Sequence, residues 1–137
     1  MERDTPLRIV AELYRLFAEG ELAQTFDLMH VDVTLIEPGD PQCLPWAGTF
    51  KGHAGLHSFY DALGSSLSSI EIDADSLKLL PMDAGQVLAL GTERGVSSAT
   101  GKSYETHSAW LWTVEDGLIR HLRAFHDTAA MAGAFTA

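Results

Sequence analysis

The first half of the chain places its apolar residues at the spacing of an α-helix. Thr5 and Pro6 are typical of a helix start, because a capping hydroxyl is followed by a ring that presets the helical φ. The spacing of the next apolar residues predicts an amphipathic helix that ends at Gly20. These residues are Ile9, Val10, Leu13, Leu16 and Phe17. A short helix over 22–29, a strand over 31–37 and a helix from 53 to about 67 follow.

The second half alternates apolar and polar residues with a period of two, which predicts β-strands. "SIEIDADSLKLL" changes phase near Asp75 and therefore predicts a bulge or bend there. Three longer strands follow in "QVLALGTERGVSS", "SYETHSAWLWTVE" and "LIRHLRAFHD". Asp116 and Gly117 join the last two strands as a hairpin turn, since both central positions of the favoured turn need a positive φ. Between the two halves, the loop over 38–52 carries three prolines and three glycines.

This order of elements predicts one α+β domain over residues 1–137, with helices packed on one face of a curved, mostly antiparallel sheet. A bent sheet closed by helices forms a cone, and the mouth of a cone is a natural ligand pocket.

Composition and charge narrow the function classes. No apolar run approaches the roughly 18 residues of a membrane span, and the net charge of −10 disfavours binding to nucleic acid. The charged start "MERDTPLRIVAELYRLF" does not resemble a secretory signal, and Cys43 has no partner cysteine. We therefore expect a soluble, cytoplasmic protein.

Alternation divides the strand over 103–115 into two faces. One face carries Glu105, His107, Ala109 and Leu111, and the other carries the two tryptophans Trp110 and Trp112. If the first face lines the pocket, the tryptophans lie outside and need a second subunit to cover them, which predicts a homodimer through the outer sheet face. The alternative is that the tryptophans fill the main core.

Several segments together resemble the SnoaL-like branch of the nuclear transport factor 2 (NTF2)-like superfamily. They are "PWAGTFKG" before the third helix, "TGK" before one strand and "DGLI" before the last strand. The superfamily also contains ketosteroid isomerase, scytalone dehydratase and limonene epoxide hydrolase. The resemblance covers nearly the whole chain and implies an NTF2-like cone that encloses a pocket.

The resemblance also implies site residues. The segment "TLIEPG" is similar to the one that carries the general base of ketosteroid isomerase and places Glu37 at that position. The isomerase's protonated aspartate falls on Ala109, and its tyrosine falls nearest Leu13, one residue from Tyr14. Its oxyanion hole is therefore missing, and we do not expect steroid isomerisation by the same machinery. The same alignment places the face of Ala109 inside the cone, together with Leu122, Ala124 and His126.

Glu37, His107 and His126 are the candidate catalytic residues. A carboxylate in an apolar wall has a raised pKa and can act as a general base, although a strand-end glutamate can instead cap the following turn. The two histidines could polarise a substrate oxygen, although a single histidine is more often a core residue. Asp127 is a rival base late in the last strand. The spacing of these residues does not favour a metal site, and we expect no cofactor.

The remaining pocket predictions concern ligand contacts. We expect Trp46 and Phe50 to cover the pocket from the loop, or simply to pack against the core. Hydroxyls of Tyr14 and Tyr60 could reach the ligand. The full set of predicted ligand contacts is Leu13, Tyr14, Trp46, Phe50, Tyr60, Glu105, Ala109, Leu111, Leu122 and Ala124.

The sequence thus favours a protein that binds a small, mostly apolar ligand with a carbonyl or hydroxyl group. The predicted chemistry is a cofactor-free isomerisation, cyclisation or dehydration by acid/base catalysis. A non-catalytic binding protein and an epoxide hydrolase are the alternatives. The hydrolase would need two carboxylates and an arginine around one water.

Overall fold

The computed structural model describes residues 4–136. Within them the helices are α1 (Asp4–Ala18), α2 (Leu22–Thr25), α3 (Gly52–Ser66) and α4 (Thr128–Gly133), and a 3₁₀ turn over Phe26–Leu28 follows α2. The strands are β1 (Met29–Glu37), β2 (Gly48–Lys51), β3 (Leu67–Ile72), β4 (Lys78–Pro81), β5 (Gln86–Ser97), β6 (Ser103–Glu115) and β7 (Leu118–Phe125).

All of these strands join one curled sheet. Its order is β2-β1-β7-β6-β5-β3. Strand β3 pairs with residues 93–97 of β5, and β4 pairs with residues 87–90 of the same strand. Strands β1 and β7 run parallel, whereas the other neighbours run antiparallel. The core fills the space between the sheet and helices α1 and α3. The predicted α+β cone is thereby confirmed.

Two connecting segments differ from the prediction. The loop over 38–52 is not irregular throughout, because Gly48–Lys51 pairs with β1 as the edge strand β2. Helix α4 follows β7 and was not predicted, because its six residues "TAAMAG" are too few to show a helical period. The hairpin turn is confirmed, since Asp116 and Gly117 have φ values of 54° and 79°. No helix of the described chain combines the length and hydropathy needed to cross a bilayer.

A β-bulge controls the pairing of β6 with β7. Val114 pairs with Ile119, but the next pair is Thr113 with His121, so Arg120 is an extra residue on β7. Without the bulge, the pairing would continue as Leu111 with Leu122. With it, Trp112 lies opposite Leu122. Because of this one extra residue, the even-numbered residues of β6 lie opposite the inward-facing Leu122 and Ala124 of β7.

The bulge makes the predicted orientation of β6 wrong. Trp110 and Trp112 are each only 5% exposed and belong to the main core. Ala109 and Leu111 lie on the opposite, half-buried face. The tryptophans therefore need no second subunit to cover them and do not support a homodimer. The homodimer stays a prediction.

Replacing Trp110 by alanine tests this orientation. We expect the free energy of unfolding to fall by about 3–5 kcal/mol, because a large buried side chain leaves a cavity. Leu111→Ala, on the other face of the same strand, is the matched control and should cost clearly less. Urea denaturation of both variants measures the two costs. A larger loss for Leu111→Ala than for Trp110→Ala would contradict the described face assignment.

Candidate functional site

The inner face of the sheet encloses an apolar cavity beneath α1 and α3. Its volume is about 70 Å³, several times the roughly 10–15 Å³ that one water molecule needs. Most of its wall is aliphatic or aromatic, and the polar groups are few. The largest apolar side chains in the wall are Phe17, Trp46, Phe59, Trp110 and Trp112, with Leu13, Leu35, Leu56 and Leu122 between them.

A buried ion pair lies in the wall of this cavity. Glu37 is the last residue of β1, and alternation along the strand turns it inward together with Val33 and Leu35. His126 follows β7 directly. Its Nε2 lies 3.3 Å from Oε1 of Glu37, and the two side chains are only 3% and 4% exposed. Both residues thus line the cavity, and their catalytic roles stay predictions.

Burial and pairing change the pKa values of both groups. Burial raises the pKa of Glu37 more than the hydrogen bond and charge of His126 lower it. Burial alone would lower the pKa of His126, but the hydrogen bond to Glu37 and the charges of Glu93 and Glu37 together raise it. The pair is thus a weakened acid beside a strengthened imidazole base.

A chain of hydroxyls continues from the other ring nitrogen of His126. Nδ1 lies 2.6 Å from Oγ of Ser108, and that hydroxyl can donate to Oγ1 of Thr106 at 3.4 Å. Thr106 in turn accepts the backbone N–H of Asp127 at 2.7 Å. When His126 is charged, Nδ1–H can donate to Ser108 while Ser108 donates to Thr106. The chain therefore fixes the orientation of the ring and supports its charged form.

Glu93 is a second buried carboxyl group in the cavity wall. It is 6% exposed, and its Oε2 accepts a hydrogen bond of 2.7 Å from the hydroxyl of Tyr104. Tyr104 lies across Gly95, where a Cβ atom would come within 2.5 Å of the ring. Burial raises the pKa of Glu93, although the charge of His126 and the Tyr104 hydrogen bond oppose this.

The sequence interpretation missed this group of residues. Glu93 shares the alternation of the buried residues Val87 and Ala89 on β5, and that pattern was the available signal. Ser108 and Tyr104 were missed because they lie on the face of β6 that had been assigned to the outside.

Two tyrosine hydroxyls are fixed near the cavity. Tyr14 accepts a hydrogen bond of 3.0 Å from Nε1 of Trp112, and Tyr60 lies 2.7 Å from the hydroxyl of Thr25. Burial raises the pKa of both tyrosines, so both stay protonated at neutral pH. Tyr14 and Tyr60 line the cavity, as do Leu13, Trp46 and Leu122. Their contact with a ligand stays a prediction.

Four predicted site residues on β6 lie outside the cavity. His107 is exposed, and its Nδ1 pairs with the hydroxyl of Thr92 at 3.1 Å. Glu105 is also exposed and binds Nε of Arg94 at 2.9 Å. Ala109 and Leu111 share this outer face. The four errors have one reason. The prediction places the odd-numbered face of β6 inside together with Leu122, whereas the bulge on β7 puts the even-numbered residues of β6 opposite Leu122 and Ala124.

Three further predictions fail for local reasons. Asp127 is exposed and caps α4, where its carboxylate accepts the N–H of Ala130. Phe50 is part of β2 and packs on Phe59, outside the cavity wall. Ala124 is buried but is not part of the cavity wall. Among the described residues, no three His, Cys, Asp or Glu side chains are placed to bind a metal ion together.

Comparison with known proteins identifies one family and one fold. The family model for the SnoaL-like domain matches residues 10–122. An NTF2-like protein from Burkholderia thailandensis is 26% identical over 96% of this chain and 98% of its own, with a TM-score of 0.85. No curated protein is similar enough to count as a match.

Two more distant structures share the fold. A protein from Xanthomonas campestris that is proposed to be a polyketide cyclase is 17% identical, over 99% of this chain and 100% of its own, with a TM-score of 0.83. A protein from Bacillus subtilis that is proposed to be an isomerase is 18% identical, over 98% and 95%, with a TM-score of 0.76. At these identities the likeness shows the fold alone.

Replacing Ser108 by alanine tests the hydroxyl chain. The variant removes the acceptor of Nδ1–H and should lower the pKa of His126, because the charged ring loses a hydrogen bond. Ser108→Thr keeps a hydroxyl and should restore the wild-type pKa. NMR titration of the His126 ring signals measures the effect, and Ser68→Ala, an exposed serine on β3, is the control. An unchanged or higher pKa in Ser108→Ala would contradict this role.

Proposed function

The chain belongs to the SnoaL-like domain family, and on this premise we propose that it catalyses cofactor-free proton transfer on a small, mostly apolar molecule with a carbonyl or hydroxyl group. The reaction class is an isomerisation, cyclisation or dehydration. The observation that carries this proposal is the buried pair of Glu37 and His126 in the wall of an apolar cavity.

Glu37 is the proposed general base. Its carboxylate lies at the cavity and is shielded from water, and its pKa is raised by burial, which strengthens it as a proton acceptor near neutral pH. It takes a proton from a carbon next to the carbonyl of the ligand. The electron pair of that C–H bond then forms the double bond of an enol or enolate.

His126 is the proposed partner of the base. Its charged ring stabilises the carboxylate of Glu37 before proton abstraction, and Ser108 holds the ring in place. The second histidine of the predicted mechanism has no part in this proposal, because His107 lies on the outer face of the sheet.

The structure gives less support to the epoxide hydrolase alternative. That chemistry needs two carboxylates and an arginine around one water molecule. None of the arginines in residues 4–136 lines the cavity, and Asp127 is engaged as the cap of α4. A non-catalytic binding protein would use the same cavity without needing a base, so the experiment must separate binding from proton transfer.

Deuterium exchange next to carbonyl groups tests the proposed base. We expect the protein to exchange α-protons in D₂O on at least one of a panel of cyclic enones, polyketide-like diketones and hydroxyketones. Glu37→Gln should slow this exchange by about 10²–10⁴-fold, the usual contribution of a general base. NMR follows both the exchange and the binding of each compound.

His107→Gln is the matched control, since it changes an exposed histidine outside the cavity. Its exchange rate should equal that of the wild type. Binding without any exchange would favour the non-catalytic alternative, and exchange that survives in Glu37→Gln would assign the base to another residue.

A further inference from the structure

The cavity wall contains more carboxyl groups than positive charges. Glu37 and Glu93 both lie in it, and His126 is the one cationic side chain among the described residues that does. His126 is 3.3 Å from Glu37 and balances that carboxylate directly. An ionised carboxylate without its own counter-ion is strongly disfavoured in apolar surroundings. The charges therefore balance when one of the two carboxyl groups is neutral.

The contacts of the two groups indicate which one is neutral. Glu37 has the imidazole as its partner. Glu93, which also lines the cavity, has an uncharged phenol as its partner, since Tyr104 donates to its Oε2. Burial raises the pKa of Tyr104, so its phenol keeps the proton that it donates. In a neutral Glu93, Oε2 is thus the carbonyl oxygen and Oε1 carries the hydrogen.

The packing around Tyr104 shows that this contact is built into the sheet. Tyr104 pairs across the strands with Gly95, two residues beyond Glu93 on β5. Because Gly95 has no side chain, the ring crosses the strand and its hydroxyl reaches the carboxyl group. Thr106 lies directly opposite Glu93 on β6, in the hydroxyl chain of His126. Each carboxyl group is therefore held at the cavity by a residue of the adjacent part of the sheet. His126, directly after β7, holds Glu37 of β1, and Tyr104 of β6 holds Glu93 of β5.

We propose that Glu93 is a neutral carboxylic acid in the working protein, and that its Oε1–H donates a hydrogen bond to the carbonyl oxygen of an uncharged ligand. This inference rests on the proposed function and assigns the acid that complements its base. As Glu37 takes the proton from the neighbouring carbon, the C–H electron pair becomes the new C=C bond. The π pair of the carbonyl moves to its oxygen, where the hydrogen bond from Glu93 strengthens.

The assignment also limits the class of ligand. A carboxylate or phosphate ligand would add negative charge to a cavity whose one cation, His126, is already paired with Glu37. In the proposed state, Glu93 would offer such an anion a hydrogen bond but no positive charge. An uncharged ketone or enone adds no charge and offers the acceptor that Glu93 needs. We therefore expect neutral carbonyl compounds to bind and their carboxylate analogues not to bind.

Infrared spectroscopy of the ligand-free protein tests the protonation state. At pH 7 the wild type should show the C=O band of a buried protonated carboxyl group, and Glu93→Gln should lose it. Tyr104→Phe keeps the acid but removes the hydrogen bond to its carbonyl oxygen, so the band should move to higher frequency. This second variant covers the case in which Glu93→Gln does not fold. Glu71→Gln, an exposed glutamate on β3, is the control and should keep the band unchanged.

Deuterium exchange then tests the role of Glu93 in the reaction. With a cyclic enone that the wild type exchanges, Glu93→Leu should slow exchange by about 10²–10³-fold, as for the loss of one oxyanion donor. Glu93→Gln keeps an N–H donor and should lose less. Equal rates in wild type and Glu93→Leu, or the absence of the band from the wild-type spectrum, would overturn the inference. The absence of exchange in every variant, together with a normal band, would instead contradict the proposed function.

Discussion

The register of β6 against β7 is the constraint on which the site depends. The extra residue Arg120 shifts this pairing by one position, so that Trp110 and Trp112 face the core opposite Ala124 and Leu122. In a sheet, a shift of one residue exchanges the two faces of a whole strand. The same shift places Ser108 beside His126, whereas the regular pairing of β6 with β5 places Tyr104 beside Glu93. His107 lies on the opposite face of β6 and is exposed.

The cavity combines a large apolar wall with a small set of hydrogen-bonded polar side chains. Each buried polar side chain has a partner: Glu37 with His126, His126 with Ser108, and Glu93 with Tyr104. No buried side-chain nitrogen or oxygen of the described residues is without a hydrogen bond. Because unpaired polar groups are costly in such surroundings, these contacts hold the groups in fixed orientations before a ligand binds. Preorganised groups of this kind are suited to proton transfer.

The two carboxyl groups differ through their neighbours. Burial raises the pKa of both, but Glu37 lies against an imidazole and Glu93 against a phenol. The imidazole favours the carboxylate of Glu37 through both charge and hydrogen bond, whereas the phenol offers Glu93 a hydrogen bond without a charge, so the same residue type can supply a base at one position and an acid at the other. This difference arises from positions on separate strands, β1 and β5, which the curled sheet brings to one cavity.

The sequence by itself determined the α+β class, the strand that ends in Glu37, the Asp116–Gly117 hairpin and the inward direction of Leu122 and His126. These features depend on local periodicity, on turn chemistry and on segments similar to a known family. Only the tertiary structure decided which face of β6 is buried, because the bulge changes the phase of β7 between Ile119 and Leu122, which both face inward, and so alters which residues of the two strands lie opposite each other. The same holds for the contacts of Glu93, Tyr104 and Ser108, which join residues on different strands and are set by the register.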